Sequence, residues 1–288
     1  MWKKEWDIRI DYIGYLFSNM VPDSEIRAWK KELKKEYRGE MMPDMPESKE
    51  GAIVITDSIV RCKEAAQKGI PYLLYLHDGN RQKDFGNIPY AVMGLQGIDY
   101  TYMLNICRRF FHIPWTIMET KRCILREITE DDLDELYEIY ADPSVTKYTE
   151  GLYEDKEAER AYLKDYTEKV YRFYGYGVWA VIHKESGKMI GRAGLSGREG
   201  FDTPELGYVI AVPFQRQGYA TEVCRAILDY AVCELGFEQI RVLFRPENVA
   251  SCGLAHRLGF RQAGQQEIDG TIMQQYIYTG MVKGENKQ

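Results

Sequence analysis

The run from Pro204 to Phe260 constrains what this chain can fold into more than any other stretch. A short apolar segment, Glu205-Leu206-Gly207-Tyr208-Val209-Ile210-Ala211-Val212, passes through Pro213 into the polar turn Gln215-Arg216-Gln217-Gly218-Tyr219-Ala220, and a helix departs from that turn. Along the helix Val223, Ala226, Ile227, Tyr230, Ala231 and Leu235 recur at the spacing of one face, and Gly236 stands where a left-handed cap ends such a helix. A turn that opens a helix directs free backbone N–H groups outward at the positive end of the helix dipole. That arrangement suits a pyrophosphate, and Gly218 and Ala220 keep the approach to the backbone open. A further strand then leads to Asn248 and a second helix, which ends at Gly259-Phe260.

At 288 residues the chain is long enough for two domains with a core each. Residues 1–50 read as helical, with Ile8, Tyr12, Tyr15 and Leu16 on one stripe and Ile26, Trp29, Leu33 and Tyr37 on another. The run Met41-Met42-Pro43-Asp44-Met45-Pro46 breaks the second stripe. Short apolar strands at 52–56, 72–76 and 90–93 then alternate with helices at 58–68 and 99–111, with a Gly/Asn/Asp-rich loop over 77–87. That rhythm predicts a small parallel sheet.

Between 114 and 121 the rhythm stops, which divides the chain into 1–118 and 119–288. A strand at 123–127 precedes Thr129-Glu130-Asp131-Asp132, a capping box for a helix with Leu133, Leu136, Tyr137 and Tyr140 inward. A long charged helix over 155–173 carries Tyr162, Tyr166, Val170 and Phe173 as core or cleft wall. Strands at 177–183 and 189–195 turn at Glu185-Ser186-Gly187-Lys188, and strands at 262–268 and 271–281 turn at Asp269-Gly270. The expected class is α/β: a small parallel-sheet domain followed by a mixed-sheet α+β domain.

A net charge of −6 argues against nucleic acid as the main partner and fits a cationic amine only loosely. No apolar run approaches the ~18 residues of a membrane span. The start, Met1-Trp2-Lys3-Lys4-Glu5-Trp6-Asp7, places acids where a signal peptide is apolar, so a cytoplasmic protein is expected. Cys62, Cys107, Cys123, Cys224, Cys233 and Cys252 lack metal-ligand spacing and read as reduced thiols, with no metal site.

Gln215-x-x-Gly218-x-Ala220 is similar to the Gln/Arg-x-x-Gly-x-Gly/Ala signature of the GNAT N-acetyltransferase superfamily, and Asn248-x-x-Ser251-x-x-Leu254-Ala255-x-x-x-Gly259-Phe260 resembles its second motif. The likeness extends over about residues 120–283. The strand Glu205 to Ile210 and Ser251 look most like the branch of ribosomal-protein N-terminal and small-amine acetyltransferases. The resemblance implies acetyl-CoA as co-substrate, held by Ile210, Ala211, Val212, Gln215, Arg216, Gln217, Gly218, Tyr219, Ala220, Thr221, Asn248 and Ser251. It also implies direct attack of a primary amine, on a small molecule or a protein N-terminus, with backbone N–H groups near Ile210 to Val212 receiving the oxyanion. Acceptor identity and oligomeric state stay open.

Chemistry ranks the remaining roles. A Lys-like amine is neutral only about once in 10³ at pH 7, so a base can contribute up to about 4 kcal/mol, whereas a peptide α-amine needs it far less. Glu205 stands on the side of the strand shared by Gly207 and Val209; Glu199, in the loop Ser196-Gly197-Arg198-Glu199-Gly200, competes with it, as does solvent. Many superfamily members place a tyrosine acid where this chain has Ala255. The branch resemblance offers Ser251 instead, one helical turn earlier, with helix capping as its alternative role. Asn248 could bond the pantetheine amide or simply shape the turn after Pro246, and His256 falls on the exposed side. A CoA-binding sensor without turnover is the alternative to an enzyme. Acceptor specificity is expected in the loops 142–154 and 197–203.

The segment Ile55-Thr56-Asp57-Ser58, with the helix through Gly69-Ile70-Pro71, resembles the late Asp-Ser motif of haloacid-dehalogenase-type hydrolases. That family needs a nucleophile strand with two aspartates, which nothing upstream supplies, and Arg61 stands where a second metal-binding acid is expected. Asp57 therefore reads as a helix N-cap and the first domain as catalytically silent.

Overall fold

Parallel strands need a connection long enough to cross back over the sheet, which short strands separated by helices or long loops can supply. The computed structural model, which describes residues 8–86 and 88–280, contains such a sheet in the first of two compact units, Met1–Trp115. The polar start Met1 to Asp7, Asn87 at the end of the polar loop and Met281 at the end of the expected hairpin lie outside the described residues. The first unit runs β1 (Tyr12–Leu16), α1 (Asp23–Leu33), β2 (Glu40–Met42), β3 (Ala52–Thr56), α2 (Ile59–Gln67), β4 (Tyr72–Tyr75), β5 (Ala91–Val92) and α3 (Tyr100–Phe110). The strand order is β2-β1-β3-β4-β5 and every pairing is parallel. All residues of β3 and β4 are buried, as two-sided coverage by helices requires.

Two expectations fail here. Tyr12, Tyr15 and Leu16 do not form a helical stripe: they belong to β1, which lies between β2 and β3 with Ile13 fully buried. A Cβ on Gly14 would lie 2.5 Å from Asp44 O, so the glycine admits a neighbouring segment rather than weakening a helix. Met41 and Met42, expected within a break, form the edge strand β2, and Pro43 only ends it.

Asp57 is not the helix N-cap either. Ser58 holds that position, and the buried Asp57 carboxylate accepts from Ser18 N–H at 3.0 Å, from Ser18 Oγ at 2.5 Å and faces His77 Nε2 at 3.2 Å. It ties together the ends of β1, β3 and β4.

The second unit, Thr116–Gln288, adds β6 (Thr116–Glu119), β7 (Cys123–Arg126), α4 (Leu133–Tyr140), α5 (Pro143–Thr146), α6 (Lys156–Asp165), α7 (Tyr171–Tyr174), β8 (Val178–His183), β9 (Met189–Ser196), β10 (Glu205–Ile210), α8 (Tyr219–Cys233), β11 (Gln239–Phe244), α9 (Val249–Leu258), β12 (Arg261–Ile268) and β13 (Thr271–Thr279). Its eight strands order as β12-β13-β11-β10-β9-β8-β7-β6. β6 pairs antiparallel with β7, so residues 116–119 belong to this sheet. The Thr129 capping box is present, Asp132 accepting from Thr129 N–H at 2.7 Å. Asp269 and Gly270 take positive φ at the last hairpin.

The expected single helix over 155–173 is interrupted by a π-helical turn, Tyr166–Val170. The extra residue in that turn rotates the next helical segment, so Phe173 is 82% exposed while Tyr162 and Tyr166 keep to the cleft side. Among the described residues no helix is long and apolar enough to cross a membrane. Cys62, Cys107, Cys123 and Cys224 are free and buried, and Cys233 is exposed. Burial pushes the Cys62 thiol up to about 12 and Cys123 up to about 11.

One discontinuity in the sheet matters most. β10 pairs with β9 along its whole length and β11 pairs with β13 along its whole length. Between themselves β10 and β11 run parallel and register only at Glu205 opposite Arg241, where Arg241 N–H also donates to Pro204 O at 2.9 Å. Beyond that point the strands part.

Candidate active site

The turn that leaves β10 is built by its backbone. After a 3-10 turn at Val212–Phe214, Arg216 adopts φ +61° and Gly218 φ +85°, Gly218 being the N-cap of α8. Left-handed residues on either side of Gln217 curl the chain so that successive N–H groups face one side, the geometry of an anion nest. The N–H groups of Tyr219, Ala220 and Thr221 open α8 and have no intrahelical acceptor, whereas Glu222 N–H bonds Gly218 O at 3.0 Å.

Carbonyls on the other side of the turn are tied down. Gln215 Nε2 donates to Ile210 O at 2.9 Å, Gln217 Nε2 to Pro213 O at 2.7 Å, and Arg122 Nη1 to Gln217 O at 3.0 Å. Arg122 is held in turn by Glu222 at 2.7 Å and lies 3.9 Å over the Tyr219 ring. The two glutamines thus brace the turn. Arg122, which sequence reasoning missed, stands just before β7 and no local spacing announces it.

The ladder of β10 sorts the expected oxyanion donors. Ala211 N–H donates to Ile190 O at 2.8 Å and is spent on β9. By alternation Gly207 and Val209 N–H face β9 too, and Tyr208 and Ile210 N–H face the opening toward β11. Val212 lies in the 3-10 turn and is 39% exposed.

A cavity of about 710 Å³ occupies this opening. Gly207, Tyr208 and Val209 line it from β10, Phe244 from β11, and Asn248, Ser251 and Ala255 from the start and inner face of α9. Tyr140, Tyr162 and Tyr166 form an aromatic wall, and the segment 146–150 with Ser196 and Arg198 supplies the rim, so both loops expected to set specificity reach the cavity. Arg192 lies on its floor, its Nε 2.6 Å from Tyr140 Oη. Burial pushes Tyr166 up to about 12 while its hydroxyl accepts from Val178 N–H at 2.8 Å.

Glu205 lines the cavity and its Oε2 accepts from Arg198 Nε at 2.8 Å. Across from it Arg241 is 1% exposed, its guanidinium 3.6 Å over the Phe201 ring, and burial pulls its pKa below the usual arginine value. Glu199 is exposed and outside the cavity lining. Asn248 Oδ1 caps α9 by accepting from Ser251 N–H at 3.1 Å, which leaves its Nδ2 as the group free to serve a ligand amide. Ser251 Oγ is 3.0 Å from the Tyr208 hydroxyl. His256 is exposed, edge-on to Tyr276.

A sheet opened between two parallel strands, with an anion nest at one strand's end and a hydroxyl-bearing helix at the other's, can hold a phosphorylated carrier whose arm lies in the gap. A profile of the acetyltransferase (GNAT) domain matches residues 122–261. The chain is 30% identical over 146 residues to the uncharacterized N-acetyltransferase YnaD of Bacillus subtilis (strain 168), covering 50% of this chain and 82% of that protein. To the uncharacterized N-acetyltransferase YoaA of the same organism it is 28% identical over 164 residues, covering 56% and 88%.

The chain belongs to the GNAT acetyltransferase family. It is an acetyltransferase, and acetyl-CoA is the co-substrate of that family. The solved structure of RimL, a ribosomal L7/L12 α-N-protein acetyltransferase in complex with coenzyme A, shares the fold at TM-score 0.50 and 16% identity, covering 57% of this chain and 98% of that one.

Proposed function

We propose that this GNAT acetyltransferase moves the acetyl group from acetyl-CoA to a primary amine, on a small molecule or a protein N-terminus, by direct attack on the thioester. The observation that carries the reading is the parting of β10 from β11: a cavity walled by tyrosines and Glu205 is lined by Gly207 to Val209 of β10, Ile210 N–H faces away from β9 at the end of the same strand, and the nest of 216–221 follows it in the chain. The pyrophosphate would lie on the nest, the pantetheine between β10 and β11 beside Asn248 Nδ2, and the thioester carbonyl at Ile210 N–H. Tyrosine faces attract an ammonium group, and Glu205 is the carboxylate closest to the parting of the strands.

Glu205 stands five residues before Ile210, roughly 16 Å of strand at about 3.3 Å per residue. Its side chain spans only part of that distance, so the amine proton would reach it along a relay of several waters, longer than the single water through which a base ordinarily acts. In the resting site Arg198 orients that carboxylate.

Release of free thiol from acetyl-CoA over a panel of amines tests the reading. Glu205→Gln is expected to leave acetyl-CoA affinity unchanged and to lower the rate at pH 7 by roughly 10²- to 10³-fold for a Lys-like acceptor and roughly 10-fold for an α-amine, with the deficit shrinking at high pH. Acetyl-CoA binding without thiol release on any amine would overturn the proposal. A deficit independent of pH would remove Glu205 as the base.

We assign the transferase to 119–288 with the edge strand β6, and propose that the first unit is catalytically silent. Beyond β1, where the hydrolases it resembles carry aspartates, stand Phe17, Ser18 and Asn19. Mg²⁺-dependent turnover of a phosphate ester that disappears in Asp57→Asn would refute this.

A further inference from the structure

We propose that Tyr208 is a positioning residue for acetyl transfer: its hydroxyl, 3.0 Å from Ser251 Oγ, holds the serine so that the serine's own proton faces the departing sulfur. This rests on the reading of the cavity as the place of transfer.

Three observations lead there. Tyr208 and Ser251 come from opposite sides of the opening, one from β10 and one from α9, and both line the cavity. Ser251 is already fixed in its backbone, because its N–H is held by Asn248 Oδ1 at 3.1 Å. Its side chain is therefore the remaining freedom, and Tyr208 removes it. Ala255, where a helix-borne tyrosine would stand, is buried and one turn further along α9. The sheet thus brings a phenol to the place where the helix supplies none.

The hydrogen bond runs from the Tyr208 hydroxyl to Ser251 Oγ. Burial pushes the Tyr208 phenol up to about 12, with Ser251 drawing it the other way. A phenol that weak keeps its proton at any working pH and would give it up only uphill to a thiolate with a Cys-like pKa of about 8.5. Tyr208 is therefore a donor of a hydrogen bond and not of a proton. Donation to Ser251 Oγ occupies a lone pair, polarises the serine O–H and leaves that O–H as the group facing the cavity.

In the reaction the amine nitrogen bonds the acetyl carbon, and the tetrahedral intermediate collapses with cleavage of C–S. The electron pair goes to sulfur, which accepts a hydrogen bond from Ser251 O–H as its charge develops. The thiolate then takes its proton from water, the nitrogen's proton leaves to the base or to water, and Tyr208 and Ser251 finish as they began.

The test uses the full chain. Tyr208→Phe keeps the ring and removes only the oxygen. It is expected to bind acetyl-CoA as the parent does and to release thiol roughly 10- to 100-fold more slowly, the range set by losing the alignment of Ser251 O–H toward the developing anion. Ser251→Ala is expected to show a comparable loss, and the double variant no further loss, since the two hydroxyls act as one unit. Across aryl thioacetates of increasingly acidic thiols, the ratio of parent to variant rate should fall toward one, which a merely structural role for Tyr208 would not produce.

Parent-like turnover in Tyr208→Phe, additive losses in the double variant, or a ratio indifferent to the leaving thiol each overturn the proposal. Should Tyr208→Phe fold poorly, the leaving-thiol series on Ser251→Ala decides alone, a flat ratio being fatal. Gly218→Val separates this idea from the one beneath it: if that variant keeps acetyl-CoA binding and turnover, it is the location of transfer that fails.

Discussion

Replacing Arg241 by methionine isolates the cost of a buried cation beside Glu205. The guanidinium is 1% exposed, and its Nε and Nη2 meet no hydrogen-bond partner among the described residues. Its compensation is the Phe201 ring at 3.6 Å and the charge of Glu205, which Arg198 already shares. Exchanging an imperfectly paired buried ion for an apolar side chain of similar length is commonly neutral or stabilising by about 1–4 kcal/mol. Loss of the cation–π contact takes back about 1–2 kcal/mol. Arg241→Met should therefore change stability by between about −2 and +3 kcal/mol. At about 2–4 °C per kcal/mol for a unit of this size, the melting temperature should fall by no more than about 8 °C and rise by no more than about 12 °C. Thermal unfolding of the full chain, following the transition that acetyl-CoA raises, measures it. A fall of more than about 8 °C would refute the reasoning, because it would mean that Glu205 or a buried water satisfies the guanidinium in solution.

Gly218→Val should abolish thermal protection by acetyl-CoA: a Cβ there meets only Arg122 Nη2 at 3.5 Å, but φ +85° is strained for a β-branched residue and its side chain would stand in the nest. Burial pushes Glu222 upward, yet hydrogen bonds from Thr120 and Arg122 outweigh it and hold the carboxyl below its usual value. Its contribution is thus fully present above the unfolded value near 4.5 and lost as pH falls through the lower folded one, so the melting-temperature gap between the parent and Glu222→Gln should close on acidification from about pH 6 to about pH 3. Asp57→Ala strands Ser18 N–H and His77 and should lower the melting transition of the first unit by the equivalent of about 1–3 kcal/mol, read by calorimetry.

Much of the second unit's fold was legible because its signals are local. Hairpin turns at Glu185 to Lys188 and Asp269-Gly270, the Thr129 capping box and the Gly218 and Gly236 punctuation each specify backbone within a few residues. What stayed hidden depends on distant partners. In Tyr-Ile-Gly-Tyr-Leu the pair Tyr12 and Leu16 satisfies a helical spacing as well as a strand, and only pairing with β3, some forty residues on, selects the strand. The π-helical turn at Tyr166–Val170 has no spacing of its own, since the same tyrosines fit an unbroken helix equally well.

The site divides along the same line. By resemblance Gln215 and Gln217 read as ligand contacts; in the fold their side-chain amides brace the carbonyls of Ile210 and Pro213. What the motif encodes is therefore the shape of a backbone turn, which is why it is readable at fixed spacing whatever anion the turn receives. Tyr208 escaped for the opposite reason. Strand alternation placed it on the face away from Glu205, and in an unbroken sheet that face would be shut off from the cleft. Because β10 and β11 part after Glu205, both faces of β10 border the same cavity, and residues that alternation separates line it together. Alternation tells which side of a strand a residue takes, and only the missing hydrogen bonds between two strands tell that the sides meet.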